Sequence, residues 1–173
     1  SVNCAWCGGG WSAHRLHSGR TGYSLLPAGR VAALTARAVE LGFDGVHACF
    51  DPTPKDPSHW LEVFERLRGS GVRCGMLFES YAVPHPDLIA GMAKTFTRSM
   101  IAISPESPDE ELRRKVRGLS FSNEEMIAAV KQCDAAGVDV MLCFGYGLPG
   151  ETAAAIPQTC LLYTSDAADD SAC

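Results

Sequence analysis

Cys4 and Cys7 are the residues of this chain most plainly spaced for chemistry. They form a Cys-x-x-Cys pair within Ser1-Val2-Asn3-Cys4-Ala5-Trp6-Cys7-Gly8-Gly9-Gly10, two thiols followed by three glycines whose backbone can come close to a bound group. Two thiolates rarely hold a metal centre alone. A further Cys one position before Ser1 would give Cys-x-x-x-Cys-x-x-Cys, a spacing that ligates three irons of a 4Fe-4S cluster and leaves the fourth open. The chain is therefore expected to be a piece of a longer one, cut at that point. Two other chemistries compete. A redox pair of the thioredoxin kind needs a strand before the cysteines and a helix opening at them, whereas glycines follow here. Zinc needs two more ligands, and the nearby candidates are His14 and His17. Their i, i+3 spacing would bring them together on a helix, which Ser18-Gly19 and Thr21-Gly22 argue against. Trp11 to Gly29 accordingly reads as an extended loop.

Composition narrows the class. With 173 residues, 46% hydrophobic and 20% charged, the chain has the make-up of one globular domain. No apolar run approaches the roughly 18 residues of a membrane span, and the start has no signal-peptide pattern, so no membrane partner and a cytoplasmic location are expected. A formal charge of −5 without clustered Lys and Arg argues against nucleic acid as a partner. Cys49, Cys74, Cys133 and Cys143 lie inside apolar patterns and read as small buried hydrophobes of a reducing compartment. Cys160 to Asp170 looks like a translated sequencing-library adapter, so residues 160–173 are expected to be a non-native tail. Without its three Asp, fifteen basic side chains stand against seventeen acidic ones, which makes most of the net acidity a property of the tail.

The elements that must position the chemistry alternate. Val31, Leu34, Ala38 and Leu41 share a helical face that Gly42 ends, and Phe43 to Asp51 reads as a strand. Asp56-Pro57 has the form of an N-cap followed by Pro at the first helical position, with Trp60, Leu61, Phe64 and Leu67 behind it. Val72 to Tyr81 is the next strand, Pro86 to Phe96 a helix, and Ser99 to Ser104 a strand. A charged helix covers Asp109 to Val116, and Ser122-Asn-Glu-Glu125 is a capping box opening another. Val138 to Tyr146 is a strand, and Gly147-Leu-Pro-Gly-Glu-Thr152 turns into a final helix. Short connections of this kind imply parallel strands covered by helices. Each strand is followed by a carboxylate, Asp51, Glu79, Glu106 and Glu151, and in β/α barrels chemistry gathers at that rim.

Taken together, these blocks resemble the radical S-adenosylmethionine superfamily over residues 1–157. The opening is similar to that family's cluster loop, with Cys4 and Cys7 at the second and third cysteines. Ile101-Ala-Ile-Ser-Pro-Glu106-Ser107 to Arg117-Gly118 resembles its fourth-strand segment, and Ala135 to Thr152, with its Gly-Leu-Pro-Gly-Glu-Thr ending, its fifth. The resemblance implies an α/β fold, a partial (β/α) barrel with parallel strands two to five and flanking helices over residues 1–159, the first and last strands lying outside the chain. It also implies an enzyme in which a 4Fe-4S cluster on Cys4 and Cys7 cleaves S-adenosylmethionine to a 5′-deoxyadenosyl radical, the fragment alone being expected to lack activity. Trp6 would line the adenine pocket, Ser104 and Glu106 would bond the ribose or the methionyl group, and Gly145 and Gly147 would let the backbone approach the adenine. Arg117 would pair with Glu106 or the cofactor carboxylate, or else stand at the surface near a helix end. Many members carry Gly-Gly-Glu after the second strand, where this chain has Phe50-Asp51-Pro52-Thr53. Asp51 is the substitute acceptor for the methionyl ammonium, or merely begins a turn. Glu79 is open between contact with cofactor or substrate and a structural role. The Asn-Cys-Ala-Trp-Cys-Gly-Gly opening looks most like members with an upstream cobalamin-binding domain, which would make methyl transfer the reaction. The implied partners are a small-molecule or peptide substrate and an electron donor such as a flavodoxin or ferredoxin.

Overall fold

A computed structural model describes residues 11–19, 22, 24–49, 55–118 and 121–164. Four parallel strands, β1 (Gly45–Ala48), β2 (Gly75–Ser80), β3 (Arg98–Glu106) and β4 (Asp139–Phe144), lie in sequence order in one sheet. The helices are α1 (Trp11–Ser18), α2 (Ala28–Glu40), α3 (Ser58–Gly69), α4 (Pro86–Thr95), α5 (Glu110–Arg117), α6 (Asn123–Ala135) and α7 (Ala155–Thr164). Right-handed crossovers between successive neighbours place the covering helices on one face. The core agrees: Phe64 and Leu67 of α3, Leu88 and Met92 of α4 and Met126 and Cys133 of α6 pack with Met76 and Phe78 of β2 and Ile101 and Ile103 of β3. This is the expected part of a (β/α) barrel, with strands and helices as an α/β layer pair.

The alternate strand residues point the other way. His47, Cys49, Leu77, Glu79, Met100, Met141 and Cys143 lie outside the core cluster, and Met100 and Met141 are exposed. No helix layer covers that face among the described residues, so it corresponds to the inside of the barrel. Cys74 and Cys133 are buried and Cys143 partly so, but Cys49 is exposed. The expectation that Cys49 is a small core residue is corrected here, because it sits two residues after His47 on the uncovered side.

Local chemistry explains the element ends. Ser122 accepts from the Glu125 amide while the Glu125 carboxylate accepts from the Ser122 amide, the reciprocal capping box. Asp109 caps α5 by accepting from the Glu111 and Leu112 amides, and Gly118 ends it with φ 70°. At α3 the boundary differs from the sequence reading. The helix starts at Ser58, Pro57 takes the N-cap place, and Asp56 accepts from the Ser58 amide. Gly91 of α4 lets α3 approach: a Cβ there would stand 2.9 Å from Leu61 Cδ2 and 3.0 Å from Phe64 Cδ2. Around that contact Trp60 meets Phe78 and Phe64 meets Phe96 edge-on, with centroids 5.0 and 5.2 Å apart.

A further segment departs from the sequence reading. Trp11–Ser18 is a helix, not an extended loop; the breakers Gly19 and Gly22 follow its end and do not interrupt it. The closing helix spans Ala155–Thr164. Among the described residues, no helix is long and apolar enough to cross a membrane.

Candidate active site

The rim at the C-terminal ends of the strands is shaped by an irregularity in β3. Ile103 pairs with Leu142 and Glu106 with Phe144, so three steps along β3 match two along β4, a β-bulge at Ser104-Pro105. Pro105 has no amide hydrogen to give the ladder and in an internal strand belongs at such a bulge. The extra residue turns the chain, and Glu106 adopts φ 66°, a left-handed conformation costing a non-glycine residue about 1–3 kcal/mol. Its surroundings hold it there. The Gly145 amide donates to the Glu106 carbonyl at 2.8 Å, and Arg117 Nη1 lies 2.8 Å from Glu106 Oε1 in a largely buried ion pair, side chains 11% and 19% exposed.

Arg117 comes from α5, whose buried residues are Leu112, Arg113, Val116 and Arg117. The two arginines are four apart and share a face. Arg117 lies with its guanidinium 5.3 Å from the Tyr81 ring centroid, a cation–π contact. Its Nε–H is buried and has no hydrogen-bond partner among the described residues. Of the three placements open from the sequence, the surface Arg is thus excluded and the pairing with Glu106 found. Arg113 is more deeply placed. It donates to the Ser107 carbonyl from Nε and Nη2, to the Phe121 carbonyl from Nη1 and to Asn123 Oδ1, and it stacks over Phe121. Burial pushes its ionisation down, against the pull of Glu110 and Asp109. Sequence reading passed over Arg113; the signal was its place one step after Leu112 and four before Arg117.

Gly145 and Gly147 differ in kind. A Cβ on Gly145 would come 3.2 Å from Glu106 Oε2, so this glycine makes room for the carboxylate. Gly147, at φ 77°, has open space where a Cβ would stand, and its amide donates to Glu151 Oε2 at 2.6 Å. Glu151 also accepts from the Leu148 amide, so this fourth rim carboxylate fastens the loop after β4. Ser104 is half-buried beside Glu106. Glu79 faces the uncovered side and meets His47 Nε2 at 3.2 Å. Cys4, Trp6, Cys7 and Asp51 lie outside the described residues, and His17 is exposed. Among the described residues, no group of three or more His, Cys, Asp or Glu side chains is arranged to hold a metal ion.

The family model of the radical SAM superfamily matches residues 1–162. The chain belongs to the radical SAM superfamily. No curated protein matches it. Among solved structures it is similar to methylornithine synthase (PylB), with a TM-score of 0.63 at 17% identity, over 98% of this chain and 48% of that one. The chain thus spans about half the length of that structure, and the likeness bears on the fold alone. Membership of the superfamily implies a 4Fe-4S cluster and S-adenosylmethionine, an iron–sulfur enzyme type. The described rim fits the second of these. A buried guanidinium with one unsatisfied N–H, next to a carboxylate that a glycine makes room for, suits a group carrying both an ammonium and a carboxylate.

Proposed function

We propose that this chain is the part of a radical SAM enzyme that seats S-adenosylmethionine, with Arg117 and Glu106 receiving the methionyl end and Ser104 the ribose. When bound, the cluster and S-adenosylmethionine together supply a 5′-deoxyadenosyl radical. Cys4 and Cys7 are the cluster thiolates, Trp6 and the backbone at Gly145 and Gly147 the adenine side, and Asp51 the acceptor for the ammonium. The observation that carries the reading is the unsatisfied Nε–H of Arg117. An orphaned buried donor costs about 1–3 kcal/mol, which a carboxylate acceptor would offset. Arg117 then orients the cofactor as a fixed cation, Glu106 holds the guanidinium in place, and Tyr81 keeps water off its face. The substrate is a small molecule or peptide, and the electron donor is of the flavodoxin or ferredoxin class. The opening string at residues 3–9 favours a cobalamin-dependent methyl transfer, on that string alone.

The test is 5′-deoxyadenosine formation by the anaerobically reconstituted parent enzyme, with Arg117→Lys and Glu106→Gln compared at a range of S-adenosylmethionine concentrations. Both variants should raise the concentration needed for half-maximal rate by about tenfold or more, the loss of a charge-assisted contact. An unchanged concentration dependence in both would remove these residues from the cofactor site.

A further inference from the structure

Beyond the radical reading, and independent of it, we propose that Cys49, His47 and Glu79 form a second reactive site on the uncovered face of the sheet: a thiol nucleophile whose base is His47, itself oriented by Glu79. His47 and Cys49 are two residues apart at the end of β1, so both point away from the helices. The register His47↔Leu77 puts Glu79 one same-face step further along β2. Its Oε1 lies 3.2 Å from His47 Nε2. With the Glu79 carboxylate facing Nε2, the tautomer protonated there leaves Nδ1 as the acceptor. Cys49 Sγ stands 3.6 Å from Nδ1, within reach of an S–H···N bond. Thiol, imidazole and carboxylate thus stand in the order of nucleophile, base and orienting group. All three are reachable: the His47 and Glu79 side chains are 42% and 38% exposed, and Cys49 is exposed.

Other titratable or charged groups on this face are Cys143 and Asp139 of β4 and Arg98 of β3. Arg98 is engaged at the opposite end of the sheet with Asp44, at 2.7 Å. Helices α2, α3, α4 and α6 pack on the other face, and among the described residues Glu79 is the charge placed against His47. In the proposed step His47 Nδ1 takes the Cys49 proton. The sulfur forms a bond to an electrophilic carbon of an acyl or alkyl substrate, the leaving group departs with the bonding pair, and the imidazolium returns the proton to it. No oxidant or reductant is consumed.

The test treats the 173-residue chain with iodoacetamide near neutral pH and follows each cysteine by peptide mass mapping. Cys74 and Cys133 are internal controls, since burial pushes both thiols up and holds them unreactive. Cys49 should label about tenfold faster in the parent chain than in His47→Gln, and about threefold faster than in Glu79→Gln, as the base and then its orienting group are lost. Equal Cys49 rates in parent and His47→Gln would overturn the proposal. Should His47→Gln unmask Cys74 or Cys133, showing a disturbed fold, Glu79→Gln decides alone: a slower Cys49 supports the site and an equal one overturns it.

Discussion

Replacing Arg113 with Met tests how the rim is held. The Arg113 side chain is wholly buried and donates to the Ser107 carbonyl at 2.9 Å, the Phe121 carbonyl at 2.9 Å and Asn123 Oδ1. Met fills most of the alkyl volume, so the cavity term is small, but two buried carbonyls lose their donor. Each such group costs about 1–3 kcal/mol. Removing a desolvated cation returns part of that, which leaves a net loss of about 2–4 kcal/mol. Against the roughly 5–15 kcal/mol of a whole domain, this is a large fraction. Equilibrium urea unfolding followed by far-ultraviolet circular dichroism measures it. Arg113→Lys keeps the charge but has no fork to span three acceptors, and should fall between the parent and Arg113→Met. A loss below about 1 kcal/mol in Arg113→Met, smaller than a single orphaned acceptor, would refute the view that this guanidinium ties the turn after β3 to the start of α6.

Gly145→Ala should destabilise by about 1–3 kcal/mol through crowding, because its Cβ would press on Glu106 Oε2. Adding Glu106→Asp, one methylene shorter, should recover part of the loss, and a double-mutant cycle in urea reads the coupling. Alkaline stability should depend on Cys133, whose thiol burial pushes up to about 11. The unfolded chain releases this proton from about pH 8.5 while the folded chain keeps it. The stabilisation is therefore full below that pH and lost as pH rises towards about 11. The urea midpoint of the parent chain should fall more steeply than that of Cys133→Ala across this window, and parallel slopes would contradict the assignment.

Much of the scaffold was legible because its signals are local. The apolar runs of β2, β3 and β4 and the Ser122/Glu125 capping box depend on neighbours within a few residues. Glu106 was singled out through family resemblance, but its conformation was not legible: a bulge is a matter of register between two strands, and Pro105 alone does not specify it. The charged helix α5 was legible as a helix, but its composition hides two inward arginines, and only the Leu112/Val116 stripe marks the buried face. Cys49 read as core because period-two alternation shows two faces without telling which one the helices cover. The helix at Trp11–Ser18 was missed since its breakers lie after its end.

The central claim is that this chain seats a 4Fe-4S cluster that meets S-adenosylmethionine. The most direct measurement places a Cys one position before Ser1, reconstitutes the protein with iron and sulfide under anaerobic conditions, and records electron paramagnetic resonance of the reduced state with and without S-adenosylmethionine. The expected result is a 4Fe-4S signal that changes on adding the cofactor, is lost in Cys4→Ala and Cys7→Ala, and loses its response to the cofactor in Arg117→Lys. Zinc bound in place of iron, or a cluster signal indifferent to S-adenosylmethionine, would contradict it.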